Sequence, residues 1–350
     1  MEKKQRLNWL DVSKAFGVYL VILGHLSIFN YHTFRFIFAF HMPFFFIVAG
    51  YVFRDGVPLK NFLKKCFKYY LVPYITILIL GLLQCVLIPI GGHDLATFIS
   101  PAVLQKAFYD GHPCFSFFGS AWFLLAMFWA QLMFWGMLKI KAKLKKYIVI
   151  MLWVLLVFTA IFAKDIFRVI PYFAKLPFKI DAALMATVFM GIGYLLRRIK
   201  IFEKNKVYIS IGSILIGALF TYLFGCKWNY YVNLCDCDYG IEYNYLIAAV
   251  AGSVMLFGLG QLLQKSKLLI FIGRNTLFIF LAHEAIYLFI LYCANSLFEK
   301  DFKSQAMPLD GWSIGISFVT LMLATAMIWG YRSIKEIIKK RLLDKRNRAQ

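Results

Sequence analysis

Asp11, Lys14 and His25 stand out chemically in this 350-residue chain because they occupy or border its first long apolar run. An ionisable group inside a membrane span is costly, and is a functional candidate by default. Lys14 lies 11 residues before His25. On an α-helix that is three turns plus about 20°, so the cation and the imidazole share one face. A neutral imidazole at that depth suits general-base chemistry on a hydroxyl. Asp11, three residues before Lys14, is spaced to orient it.

Further groups join these. His41 lies about seven residues from one end of the second apolar run, roughly 10 Å in, and His25 about 13 residues, roughly 20 Å, from the opposite side. In a hydrocarbon core about 30 Å thick the two reach nearly the same depth, where they can form an acid/base pair. The alternative for His41 is a structural histidine bonded to a carbonyl. Pro43 frees a backbone carbonyl beside it and favours a kink. The ninth run begins Ile272, Gly273, Arg274, Asn275, Thr276 and reaches His283 and Glu284. Adjacent helical residues point about 100° apart, so these two are not a pair by position alone. Glu284 is a candidate to orient His25, His41 or Lys14 from another helix, or to lock packing through a salt bridge. Lys64, Lys65 and Lys68 precede the third run at i, i+3 and i+4 spacings and line one side of a helix. They read as a phosphate clamp or as ordinary lysines beside a membrane.

The elements that must carry these groups are long and apolar. Hydrophobic residues make up 61% of the chain and charged residues 16%, whereas soluble domains are nearer one half and one quarter. This predicts an all-α, polytopic membrane helical bundle. Ten runs are expected to span, at about 12–30, 34–53, 69–90, 120–138, 147–163, 182–196, 207–224, 245–263, 275–298 and 312–331. The net charge of +22 suggests nucleic acid at first sight, but its placement argues against that partner. Of the 39 Lys and Arg, 29 fall in alternate connecting segments that include both termini. The positive-inside rule therefore predicts cytoplasmic termini and contact with anionic lipid. The segment 164–181, with Lys164, Arg168, Lys175 and Lys179, fits that pattern least.

The first run is too long for a cleavable signal peptide and no small-residue cleavage site follows it. Residues 1–331 are expected to form the transmembrane domain, with no soluble domain of useful size, and 332–350 a basic amphipathic tail carrying Ile334, Ile337, Ile338 and Leu342. No internal repeat of the kind common in transporters is evident. The outside segments 91–119 and 225–244 carry aromatic and polar residues suited to a sugar or a lipid headgroup, or to an interfacial aromatic belt. Cys226, Cys235 and Cys237 share the second of these, where one disulfide is one reading and a Cys-Asp-Cys metal site another. No metal is expected, because a zinc site would need more well-spaced ligands.

The strings Leu10, Asp11 and Lys14 through Gly24 and His25, His41-Met-Pro-Phe-Phe-Phe through Gly50 and Tyr51, Ala121-Trp122-Phe123-Leu124, and Gly273-Arg-Asn-Thr276 through His283 run in order over nearly the whole chain. Together they closely resemble the integral-membrane acyltransferase-3 family, nearest to its fucose 4-O-acetylase-like sugar O-acetyltransferases. The resemblance implies a ten-helix bundle that moves acetyl or another short acyl group from cytoplasmic acyl-CoA to a glycan hydroxyl at or outside the cell membrane. It assigns the base to His25, a functional role to Lys14, and CoA phosphate binding to the basic residues before the third span. Where relatives have arginines there, this chain has Lys64, Lys65 and Lys68, and Ala49 stands where many have serine. Lysine is a competent phosphate partner without arginine's fork.

On this reading acyl-CoA, the donor substrate, is held by Lys64, Lys65, Lys68 and Arg274, with Trp122, His41 and His283 shaping or polarising its tunnel. No activated serine or cysteine is evident, which favours direct transfer over an acyl-enzyme. Relatives often carry an added esterase-like domain; without one, transfer is direct or uses a separate extracytoplasmic partner. Two other functions fit the scaffold: an exporter of acylated glycan or lipid, in which the histidines relay protons, and a non-catalytic ligand-binding module.

Overall fold

A computed structural model of the chain describes residues 6–26, 31–87, 100, 101, 105, 109, 119–169, 175–200, 202, 206–298 and 311–348. The described elements are helical. The first five are α1 (Asn8–Leu26), α2 (Tyr31–Phe38), α3 (His41–Tyr51), α4 (Leu59–Cys66) and α5 (Val72–Leu87). Then come α6 (Trp122–Lys141), α7 (Lys146–Ile161), α8 (Ala163–Arg168), α9 (Ile180–Ile199) and α10 (Val207–Tyr222). The last four are α11 (Glu242–Leu262), α12 (Lys267–Arg274), α13 (Thr276–Phe298) and α14 (Gly311–Arg348). Extended pairing among the described residues is limited to one isolated bridge, Asn233 to Asp238. Every backbone polar group in hydrocarbon needs a partner within the protein, and helices meet that demand locally.

Among the described residues, eight helical segments are long and apolar enough to cross a membrane. Of the other two apolar runs, one falls on α7, of 16 residues, and the described part of the other on the continuous helical stretch 59–87, where a π-turn at Phe67–Leu71 joins α4 to α5. The second span is His32–Tyr51, built from α2 and α3 across a turn at Ala39 and Phe40. That break lies just before Pro43, which has no N–H to continue the ladder. The last helix runs unbroken for 38 residues, about 57 Å at the helical rise. The basic tail therefore continues the final span, with Ile334, Ile337 and Ile338 exposed.

Helix α1 is the hub, packed against α3, α11, α12, α13 and α14. Two close approaches need glycine. A Cβ on Gly273 would lie 1.7 Å from the Asp11 carbonyl oxygen, so only glycine lets α12 dock on α1 at that level. Where α3 crosses α9, a Cβ on Gly50 would meet the Met190 carbonyl and one on Gly193 the Ile47 carbonyl, each at 1.9 Å. Small residues at such crossings let helices approach closely in lipid, where apolar burial supplies little drive.

Candidate active site

The site has two polar centres strung along α1. The first is built on Asp11, which is buried beneath three cations. Its carboxylate receives Lys14 Nζ at 2.7 Å, Arg6 Nε at 2.8 Å and Arg274 Nε at 3.3 Å. Arg274 also donates to the Asn8 side chain at 3.3 Å. A charge out of water must be paired, and here one carboxylate gathers cations from the N-terminal segment, α1 and the end of α12. The Gly273 approach brings Arg274 within reach. Asn275, next along, donates to the Phe271 carbonyl at 2.6 Å and accepts from Arg332 at 2.5 Å, tying the α12–α13 junction to α14.

Beside this centre opens a cavity of about 470 Å³. Arg6, Lys14 and Lys65 line its polar part, with Gln131, Tyr69, Tyr70 and Cys66. Phe45, Phe123 and Phe280 line its aromatic part, with Ala49 and Leu277. Two chemistries meet in one space: cations that suit phosphates and an apolar wall that suits a thin, uncharged arm. Cys66 ends α4, before the third apolar run, and burial pushes its thiol up to about 11.

The second centre lies 14 residues further along α1 than Asp11, about 21 Å at the helical rise. His25 Nε2 sits 3.7 Å from Glu284 Oε1, and the His25 and His283 ring centroids are 5.1 Å apart. Tyr287, one turn beyond His283, packs its ring 6.5 Å from that of His25. The Ser120 backbone N–H donates to Glu284 Oε1 at 2.9 Å from the turn that starts α6. His283 Nδ1 lies 2.6 Å from the Phe280 carbonyl, so that nitrogen carries the proton. Its Nε2 is buried with no hydrogen-bond partner among the described residues. A carboxylate beside an imidazole stabilises the imidazolium form, so a base at His25 would have its acquired charge met by Glu284.

Phe280 joins the two centres. It lines the cavity, and its ring lies 5.2 Å from Phe123 and 5.9 Å from His283. The histidines are one aromatic layer away from the cavity.

The sequence-predicted residues thus divide. His25, His283 and Glu284 meet, and Asp11, Lys14 and Arg274 meet. Lys65 lines the cavity, whereas Lys64 and Lys68 are exposed and outside its lining. Trp122 is buried, with its ring 6.4 Å from Phe123, and it is Phe123 that faces the cavity. His41 is buried, its Nδ1 donates to the Ile37 carbonyl at 2.8 Å, and Phe38 packs on its ring. That contact satisfies backbone at the α2–α3 break, while the groups packed on His25 are the α13 residues His283 and Glu284. Residues not singled out from the sequence are Arg6, Ser120, Tyr287 and the cavity phenylalanines. Arg6 precedes Asp11 by five, off the usual helical spacing, and Ser120 acts through its backbone, which leaves no mark in a side-chain pattern.

On the segment 225–241, Cys226, Cys235 and Cys237 are buried, and among the described residues none of the three belongs to a disulfide or to a gathered metal-ligand set. Burial pushes Cys235 up to about 11. The awkward cations of 164–181 find partners there. Lys164 pairs with Asp238 at 2.7 Å, Lys175 pairs with Asp236 at 2.9 Å, and Lys179 donates to the Cys235 carbonyl at 3.1 Å. Most of the segment 91–119 lies outside the described residues.

Comparison with known proteins agrees with the resemblance at the level of the acyltransferase-3 family. The family model described as an acyltransferase domain, that of the acyltransferase-3 family, matches residues 7–331. No curated protein and no solved structure matches the chain.

Proposed function

The chain belongs to the acyltransferase-3 family, and from that premise we propose that it is a cell-membrane O-acyltransferase. It moves an acetyl or other short acyl group from cytoplasmic acyl-CoA to a glycan hydroxyl, as in the sugar O-acetyltransferase branch. The observation that carries this reading is the arrangement on α1: a cation-lined cavity at Lys14, and one aromatic layer beyond it His25 backed by Glu284 at 3.7 Å.

In the mechanism the phosphates of acyl-CoA meet Lys14, Arg6 and Lys65, with Lys64 and Lys68 as an exposed approach. Asp11 holds Lys14 and Arg274 in place and limits the mutual repulsion of the cations. The pantetheine arm follows the apolar wall past Phe280 toward His25. A neutral His25 takes the proton of the acceptor hydroxyl as its oxygen attacks the thioester carbon. The new C–O bond forms, the C–S bond breaks, and the CoA thiolate recovers the proton from the imidazolium. Glu284 stabilises that imidazolium, and the Ser120 N–H holds Glu284. His283, with its proton fixed on Nδ1, offers Nε2 as an acceptor for a neighbouring hydroxyl of the glycan. General-base catalysis of this kind is worth about 10²–10⁴ in rate.

The test is release of CoA by the purified protein supplied with acetyl-CoA and a cell-envelope glycan extract, with mass spectrometry of the glycan. His25→Ala is expected to lose at least about a hundredfold in rate while keeping expression and thermal stability. Unchanged transfer by a well-folded His25→Ala protein would rule out the base assignment. Glycan movement without CoA release would favour an exporter.

A further inference from the structure

His25, His283 and Glu284 each offer one ligand atom, and the three atoms lie within 4.8 Å of one another. Among the described residues no other trio of histidine, cysteine or carboxylate side chains gathers this way. We infer that these three residues form a reversible zinc site, and that zinc bound there switches the acyltransferase off.

The chemistry of the donors supports zinc. Two imidazoles and one carboxylate form a ligand set that binds zinc while leaving its fourth position open. The carboxylate supplies negative charge, and imidazole suits first-row divalent metals. The tautomer of His283 is already the one a ligand needs. Its Nδ1–H is committed to the Phe280 carbonyl at 2.6 Å, which leaves the lone pair on Nε2. That nitrogen is fully buried and has no hydrogen-bond partner among the described residues, and a buried acceptor left unmatched is costly. Glu284 is held from outside the trio by the Ser120 N–H, as metal-binding carboxylates commonly are. Ligands on bonds of about 2.0–2.1 Å around a tetrahedral ion stand roughly 3.3 Å apart. His25 and Glu284 at 3.7 Å are close to that, and all three ligand atoms lie within 4.8 Å of one another.

The switch follows from the lone pair. A proton and a metal ion compete for the same imidazole electrons, so His25 bound to zinc cannot accept the proton of the acceptor hydroxyl. The inhibitory half of the inference rests on the proposed role of His25. The binding half rests only on the three side chains.

The full-length protein, purified in detergent and stripped with a chelator, is titrated with Zn²⁺ by calorimetry and with Co²⁺ by visible absorption. Acyl transfer is measured in the same samples. Wild type is expected to bind one ion per chain with the Co²⁺ spectrum of a four-coordinate site. His283→Gln and Glu284→Gln, checked for folding by thermal unfolding, are expected to bind at least about tenfold more weakly, and His32→Gln as wild type. Zn²⁺ is expected to abolish transfer and a chelator to restore it. Absence of stoichiometric binding, or equal affinity in His283→Gln, overturns the site. Transfer that continues or rises with the ion bound overturns the switch. A metal-free wild type that binds zinc but transfers nothing overturns the transferase reading and leaves the site standing.

Discussion

At the scale of single residues, burial and partnership decide which polar groups can do chemistry. His25 and His41 look equivalent by depth, yet their surroundings separate them. The Nδ1–H of His41 is committed to the Ile37 carbonyl at the break before Pro43, while His25 faces Glu284 and His283. Replacing Glu284 by Gln keeps an acceptor for the Ser120 N–H but removes the charge. We expect kcat to fall about tenfold, equivalent to ~1.4 kcal/mol, with little change in KM for acyl-CoA. Cys66 gives a test of the cavity that is independent of turnover. Its thiol lies at about 11, so the neutral form dominates at pH 8, where only about 0.1% is thiolate. Alkylation at Cys66, followed by peptide mass spectrometry, should rise about tenfold per pH unit between 8 and 10. Acyl-CoA should slow it at every pH, and an alkylation rate indifferent to acyl-CoA would place the donor elsewhere.

At the scale of elements, the Asp11 centre is a three-way tie between the N-terminal segment, α1 and α12. Asp11→Asn removes the buried carboxylate that three partly exposed cations share, and losing charge-assisted hydrogen bonds of this kind costs about 1.5–3 kcal/mol. Thermal unfolding in detergent should report that loss. Arg6→Ala should cost less than about 1 kcal/mol, since its side chain is 57% exposed. A near-equal effect of the two substitutions would show that the centre is not held as described. Gly273 belongs to the same tie. The motif Gly273-Arg-Asn-Thr276 was legible in the sequence as a string, but its physical sense lies in contacts. The glycine admits the α1 backbone, the arginine reaches Asp11, the asparagine closes α12, and Thr276 faces the cavity. The same holds for 164–181, whose cations seemed out of place until the carboxylates of 225–241 were seen against them.

At the scale of the whole molecule, the charge asymmetry predicts cytoplasmic termini, so a C-terminal alkaline phosphatase fusion should be inactive and a fluorescent protein fusion bright. That orientation would put the cavity beside Asp11 on the side of the acyl-CoA pool and His25 nearer the opposite face. The helical class and the positions of the apolar runs followed from sequence alone, because the bilayer sets a length and a polarity that any spanning segment must show locally. Ten full spans are expected from the sequence, and among the described residues eight helical segments have the length and composition to span, since hydropathy marks where a run is apolar and not where its helix ends. Lys14 and His25 on one helix were likewise visible, being fixed by a local period. What only the tertiary structure decided is partnership: His25 with Glu284 and His283, Lys65 and not Lys64 or Lys68 in the cavity, Phe123 and not Trp122 on its wall. Those choices depend on how far each helix is rotated and shifted against α1. That is settled by contacts more than 100 residues apart, such as Gly273 on Asp11 and Ser120 on Glu284, which no local pattern encodes.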